Sequence, residues 1–236
     1  MKKLGPHSTP RKNITWLERR LTKLWARWRL TCGIAPLSYQ WGTDRGQPVH
    51  RYYLYQFLEE YKSDVRGCCL EFQNPQYVPR LGRSAVTSLD ILHVDHSNPR
   101  ATLVADLTRP NDLPNEHFDC IVCTHILHVI FDVRRAVSEL HRILKPDGVL
   151  LVAVPHVSMS GPEYDELWRF TPKGLHRLLG ECFGVPNTKV KAYGNSLTAA
   201  GDLRGVIAAE FSTAELHTHD ERFAVEVCGR AVKREP

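Results

Sequence analysis

Several polar residues suited to chemistry sit where short apolar runs end. Glu71 and Gln73 flank Phe72 at the close of the run from Gly67. Asp95 follows Ile91-Leu92-His93-Val94, Asp106 and Leu107 follow Leu103-Val104-Ala105, and Thr124 and His125 follow Phe118 to Cys123. A carboxylate in such a place offers two acceptor oxygens to a diol or an amino group, and charged hydrogen bonds contribute about 1.5–3 kcal/mol each. His125 has an ordinary pKa near neutrality, which suits a general base; His128 and His156 are its rivals. Each residue also has a plainer role open to it. Glu71 closes a strand, Asp95 starts a turn with Asn98-Pro99, Asp106 caps a turn, and His125 is one of twelve histidines. Cys120-Ile-Val-Cys123 has CxxC spacing but lies in an apolar run whose alternation sends the two thiols to opposite faces of a sheet. No metal site is expected, and the seven scattered cysteines are those of a reduced, cytoplasmic core.

The elements that must position these residues alternate. Strands are expected at 67–72, 89–95, 102–106, 117–124, 149–154, 188–194 and 223–232, and helices at 49–62, 132–144, 172–182 and 196–210. Such alternation implies right-handed crossovers and a mostly parallel sheet. The cleanest unit runs from Phe118 to Val154. Val133, Val137, Leu140 and Leu144 form a helical stripe, Lys145-Pro-Asp-Gly148 stops it, and Val149-Leu-Leu-Val-Ala-Val154 suits a strand covered on both faces.

At 236 residues, with ordinary apolar and charged content, the chain accommodates one α/β domain plus an appendage. The net charge of +5 is unevenly placed: residues 1–30 hold nine Lys/Arg against Glu18 alone, which leaves the remainder slightly acidic. The division is therefore a basic tail and amphipathic helix over 1–31 and an α/β domain over 32–236. The near-neutral body shows no nucleic-acid footprint. No apolar stretch is long enough for a transmembrane helix, and no secretory signal is recognised. Leu17, Leu21, Leu24, Trp25 and Trp28 fall at helical spacing among Arg19, Arg20, Lys23 and Arg27. A helix over 15–30 would either pack on the body or lie on an anionic membrane surface as a peripheral contact.

Phe118-Asp-Cys-Ile-Val-Cys-Thr-His125 followed by Leu140-His-Arg-Ile-Leu-Lys-Pro-Asp-Gly-Val-Leu-Leu-Val-Ala-Val-Pro155 resembles the type-11 branch of class I S-adenosylmethionine (SAM)-dependent methyltransferases. Leu113-Pro114, Trp41-Gly-Thr-Asp-Arg-Gly46, Arg51-Tyr52-Tyr53, Trp168-Arg-Phe-Thr171 and Ala192-Tyr-Gly-Asn195 extend the resemblance over about residues 36–233, toward a subgroup associated with glycan assembly. It implies a Rossmann-like, seven-stranded, mostly parallel sheet with helices on both faces and a final antiparallel hairpin. Ligands of open α/β sheets bind beyond the carboxyl ends of the strands, which selects the loops after Phe72, Val94, Ala105 and Cys123. The resemblance then implies SAM as cofactor, with Glu71 and Gln73 near its methionine end, Asp95 on the ribose hydroxyls, Asp106 and Leu107 at the adenine, and Thr124 and His125 bordering cofactor and acceptor. Arg45 or Arg51 would meet the cofactor carboxylate, and Trp168-Arg169-Phe170 would wall the acceptor pocket. The implied reaction is methylation, on oxygen, of a small-molecule or glycan acceptor. The first loop departs from the pattern: Glu71-Phe-Gln-Asn-Pro-Gln-Tyr77 keeps the acid but lacks the glycines that let backbone N–H groups approach the ligand. That departure supports a competing expectation, a methyltransferase-like domain without activity that serves as a scaffold or membrane-apposed partner.

Overall fold

A computed structural model of the protein describes residues 33–161 and 165–234, together with residues 21, 23–26, 28 and 31. Seven strands form one sheet: β1 (Gly67–Phe72), β2 (Val86–His93), β3 (Leu103–Val104), β4 (Phe118–Thr124), β5 (Leu144–Pro155), β6 (Thr188–Tyr193) and β7 (Glu226–Val232). Their order is β3-β2-β1-β4-β5-β7-β6, with β7 antiparallel to both neighbours and the other pairings parallel. The expected architecture, final hairpin included, is the observed one.

Alternation along β4 divides two cores. Cys120 and Val122 face Tyr53, Leu54 and Phe57 of α1 (Val49–Glu60). Ile121 and Cys123 face Leu140 and Ile143 of α3 (Val133–Ile143) and Leu175 and Leu179 of α4 (Pro172–Phe183). The two CxxC thiols thus lie on opposite sides of the sheet. A strand covered on both faces has no polar side to present, which explains the near-continuous apolar runs of β4 and β5. The Asp132 carboxylate accepts from Arg135 N at 3.0 Å to cap α3, and the Thr171 hydroxyl accepts from Gly174 N at 3.0 Å to cap α4.

Several boundaries shift, three of them with consequences for the loops and turns. β2 stops at His93, because Val94 is apolar but 60% exposed; Asp95 therefore lies in the loop and not at the strand end. β5 begins at Leu144, so Lys145-Pro-Asp-Gly148 is an irregularity within the strand, with Asp147 at φ 61° donating its N–H to Lys233 O at 2.7 Å. The helix expected over 196–210 ends as α5 (Ser196–Leu203), where Gly205 takes φ 71° and turns the chain. Between these elements lie two short helices, α2 (Val78–Gly82) and α6 (Thr213–His217).

Of the expected N-terminal helix, residues 15–20, 22, 27, 29 and 30 lie outside the described residues. The described residues 21, 23–26 and 28 are helical, with Leu21, Leu24, Trp25 and Trp28 about half exposed and Ala26 buried. Lys23 Nζ donates to Phe211 O at 3.2 Å, which ties this segment to the body. Among the described residues, no helix is long and apolar enough to cross a membrane.

Candidate functional site

The carboxyl ends of β4, β5 and β1 open into a cleft of about 210 Å³, lined by Trp41, His50, Arg51, Gln73, His125, His128, Glu166 and Glu226 among others. Strand register builds its centre. Thr124 pairs with Ala153, and the next residue, His125, donates its N–H to Ala153 O at 2.8 Å. Two residues further along β5, Pro155 pairs with Glu226 of β7. His125 and Glu226 thus meet across the end of β5, with His125 Nε2 2.8 Å from Glu226 Oε1.

His125 is held at φ 53° and its side chain is 18% exposed, whereas Glu226 is fully buried. Burial pushes the Glu226 carboxyl up to about 8, although nearby His50 and Arg51 pull it down. Burial also holds His125 well below the usual histidine range, and Arg51 and His50 add to that depression. A second carboxylate–imidazole pair stands beside the first: His50 Nδ1 lies 2.9 Å from Asp202 Oδ1, and the His50 and His125 ring centroids are 5.7 Å apart, edge to face. Glu226 Oε2, Asp202 Oδ2 and His128 Nδ1 are buried without a hydrogen-bond partner among the described residues. Buried polar groups are normally paired; two of these atoms belong to residues that line the cleft, and Asp202 stands behind His50. His128 is pushed down to about 4 by burial and by His125.

The glycine-poor loop keeps a glycine-like path. Gln73 takes φ 63°, a left-handed conformation that side-chain-bearing residues usually avoid. Its carbonyl accepts from Asn98 Nδ2 at 2.6 Å, and Arg100 donates to Asn74 Oδ1 at 2.7 Å. Glu71 is buried beneath the loop and is absent from the cleft lining. Its Oε1 accepts from Gln76 N at 2.8 Å and Tyr77 N at 2.7 Å, and its Oε2 accepts from Val78 N at 3.0 Å. The carboxylate satisfies the free amides at the start of α2, so it positions the loop. Burial raises its pKa, and these three bonds oppose the rise.

Gln73 and His125 therefore share the cleft, while Asp95, Asp106, Leu107 and Thr124 lie outside its lining. Asp95 is 62% exposed; a hydrogen bond from the Ser97 side chain and one from Ser97 N to Oδ1, at 2.9 Å, hold its pKa below the usual range. Asp106 Oδ1 accepts from the Thr108 hydroxyl at 2.7 Å, and its Oδ2 pairs with Arg109 at 3.2 Å, so this carboxylate is already committed to its turn. Leu107 is buried.

Other expectations shift as well. Arg45, expected near a cofactor carboxylate, lies outside the cleft lining and reaches Glu210 and the Gly205 carbonyl instead. Arg51, which lines the cleft and donates to the Tyr77 hydroxyl, is the arginine left for a ligand carboxylate. Tyr52 meets His217 at 2.8 Å, and Tyr53 stacks on Tyr193 in the core. Phe170 is buried and Trp168 donates to Ile130 O at 2.9 Å, so neither lines the cleft; Glu166 does, paired with Arg169. Sequence reasoning missed Glu226, His50, Asp202 and Glu166. For Glu226 a signal existed: a carboxylate inside the apolar run Ala224-Val-Glu-Val-Cys228.

Comparison with known proteins agrees with the fold. Residues 66–152 match the family model described as a methyltransferase domain. The chain is 26% identical over 87 residues to the protein named "Probable polyketide synthase 10" of Dictyostelium discoideum, a stretch that is 35% of this chain and 3% of that protein. It is 43% identical over 53 residues to "Uncharacterized methyltransferase YcgJ" of Bacillus subtilis (strain 168), covering 22% of this chain and 21% of that one. The chain thus spans only a small part of the curated relatives it matches. Among solved structures, the N-methyltransferase NodS from Bradyrhizobium japonicum WM9, in complex with S-adenosyl-L-homocysteine, superposes with a TM-score of 0.51 at 14% identity over 91% of this chain and 99% of that one. At that identity the likeness concerns the fold.

Proposed function

We propose that this chain, built on the class I methyltransferase fold, is a SAM-dependent methyltransferase that acts on a hydroxyl of a small-molecule or glycan acceptor. The observation that carries this reading is the His125–Glu226 pair in the cleft at the carboxyl ends of the strands. The resemblance over 113–155, and to the glycan-associated subgroup, supports the cofactor and the acceptor class.

SAM, when bound, supplies an electrophilic methyl group. The residues present fit it in three respects. The Gln73 backbone keeps the conformation that glycine usually provides, Arg51 is available to a carboxylate, and the Asp95 carboxylate is exposed to a ribose hydroxyl. Asp106 and Leu107 would frame the adenine as a preformed turn, and Thr124 would border it from β4. With the cofactor in place, His125, held by Glu226 through Nε2, would be the residue to accept the acceptor's hydroxyl proton. Trp41, whose indole N–H reaches Met159 O at 3.2 Å, forms one wall of the cleft. Alignment and water exclusion supply much of the acceleration.

A second reading, an inactive scaffold, is favoured by one observation: Gln73 and Pro75 replace residues that would donate freely or leave space. Calorimetric titration separates the two. The enzyme binds SAM and S-adenosylhomocysteine in the micromolar range, and Asp95→Ala weakens both by at least about tenfold, as the loss of one or two charged hydrogen bonds requires. No heat at millimolar ligand would leave only the scaffold.

The N-terminal segment carries a separate proposal, a peripheral contact with an anionic membrane. Half-exposed Leu21, Leu24, Trp25 and Trp28 in a basic segment support it. The chain then co-sediments with vesicles containing phosphatidylserine and not with neutral ones, and removal of residues 1–30 abolishes the difference.

A further inference from the structure

Three neighbouring strands bring together donors that no contiguous motif announces. Cys68 is the second residue of β1, Asp90 lies within β2, and His117 immediately precedes β4, while the sheet places β2, β1 and β4 side by side. One ligand atom from each of the three lies within 4.8 Å of the other two. We propose that Cys68, Asp90 and His117 form a binding site for Zn²⁺ or a similar divalent transition metal, with water as the fourth ligand.

The donor set selects the ion. A thiolate and an imidazole are poor ligands for Mg²⁺ or Ca²⁺, which prefer oxygen, and good ones for Zn²⁺. Bonds of about 2.3 Å to sulfur and about 2.0–2.2 Å to nitrogen and oxygen put the ligand atoms of a tetrahedral site roughly 3.3–3.8 Å apart. The observed spread closes to that by modest side-chain rotation, which the exposed His117 ring and the half-buried Cys68 and Asp90 allow.

The supports around the three residues match what metal ligands need. Cys68 N donates to Asp119 Oδ2 at 2.8 Å, and His117 N donates to Ile143 O at 2.8 Å, so both backbones are fixed. The Thr102 hydroxyl donates to Asp90 Oδ1 at 2.7 Å while accepting from Ile91 N at 2.9 Å. That bond orients the carboxylate and leaves Oδ2 for the cation, as partners behind a metal ligand commonly do. The site sits at the amino-terminal ends of β1 and β4, whereas the cleft lies at their carboxyl ends. Its effect is to brace three strands. Donors separated by more than twenty residues come together only in the folded chain, so binding the ion stabilises the fold.

The test uses the full chain, reduced and stripped of metal, titrated with Co²⁺ and with Zn²⁺ against a chromophoric chelator. One equivalent binds with micromolar or tighter affinity, Co²⁺ gives a near-ultraviolet thiolate-to-metal band, and Zn²⁺ raises the melting temperature. Cys68→Ser abolishes the band, His117→Ala and Asp90→Asn each weaken binding at least tenfold, and Cys182→Ser changes neither. A band that survives Cys68→Ser, or affinity unmoved by His117→Ala, overturns the site. None of these readouts involves methyl transfer, so the result is independent of the proposed activity.

Discussion

Replacing His125 by Asn is expected to lower kcat by about 10²–10⁴-fold, the usual contribution of a positioned general base, while leaving SAM affinity essentially unchanged. Asn is the informative substitution because His125 sits at φ 53°, a conformation that Asn tolerates better than most residues. Its amide is shorter than the ring and does not reach Glu226, so His125→Gln, whose Nε2 sits where the imidazole Nε2 meets the carboxyl, is the companion that keeps this partner. An alanine would confound loss of the base with an unpaired buried group, which by itself costs about 1–3 kcal/mol. Single-turnover rates give the chemical step and calorimetry gives the affinity. A variant that turns over at the parent rate would mean that the acceptor arrives already anionic, and that the cleft works through alignment alone.

How much of this was legible in the chain depends on how local the cause was. The β4–α3–β5 unit announced itself because a buried strand and a one-sided helix leave different periodicities. Val94 misled the boundary of β2, because apolar character extends the apparent strand while the residue itself is exposed. Gln73 concealed a conformation: the missing glycine is visible, but the retained left-handed backbone is not, since Asn98 and Arg100 hold it from the next loop. Glu226 was conspicuous as a charge inside an apolar strand, yet its partner lies 101 residues away. The pairing exists only because β7 runs antiparallel beside β5. His50 with Asp202, and Cys68 with Asp90 and His117, are tertiary in the same sense. Contacts of this kind follow from topology and register, which periodicity does not specify.

Glu226→Gln is expected to change both the pH profile of the reaction and that of stability. The pair titrates as a unit. While Glu226 is protonated, its O–H donates to His125 Nε2, and the ring carries its own proton on Nδ1, where it cannot act as a base. Loss of the proton from the carboxyl leaves His125 donating from Nε2, with Nδ1 unprotonated. The parent rate therefore climbs as pH rises through about 8, and in the variant that limb disappears, with activity at high pH reduced by about tenfold or more. Stability runs the opposite way. The unfolded chain releases this proton near 4.5 and the folded chain holds it to about 8, so the folded state binds more protons between those values. Stability is then lost as pH rises across that window. Glutamine carries no such charge. The variant should match the parent below the window and exceed it above by roughly 3–5 kcal/mol, or about 10 °C in melting temperature for a domain of this size. Melting curves for the two proteins that run parallel from about pH 5 to about pH 9 would show that Glu226 is ionised throughout, and the protonated pair would have to be abandoned.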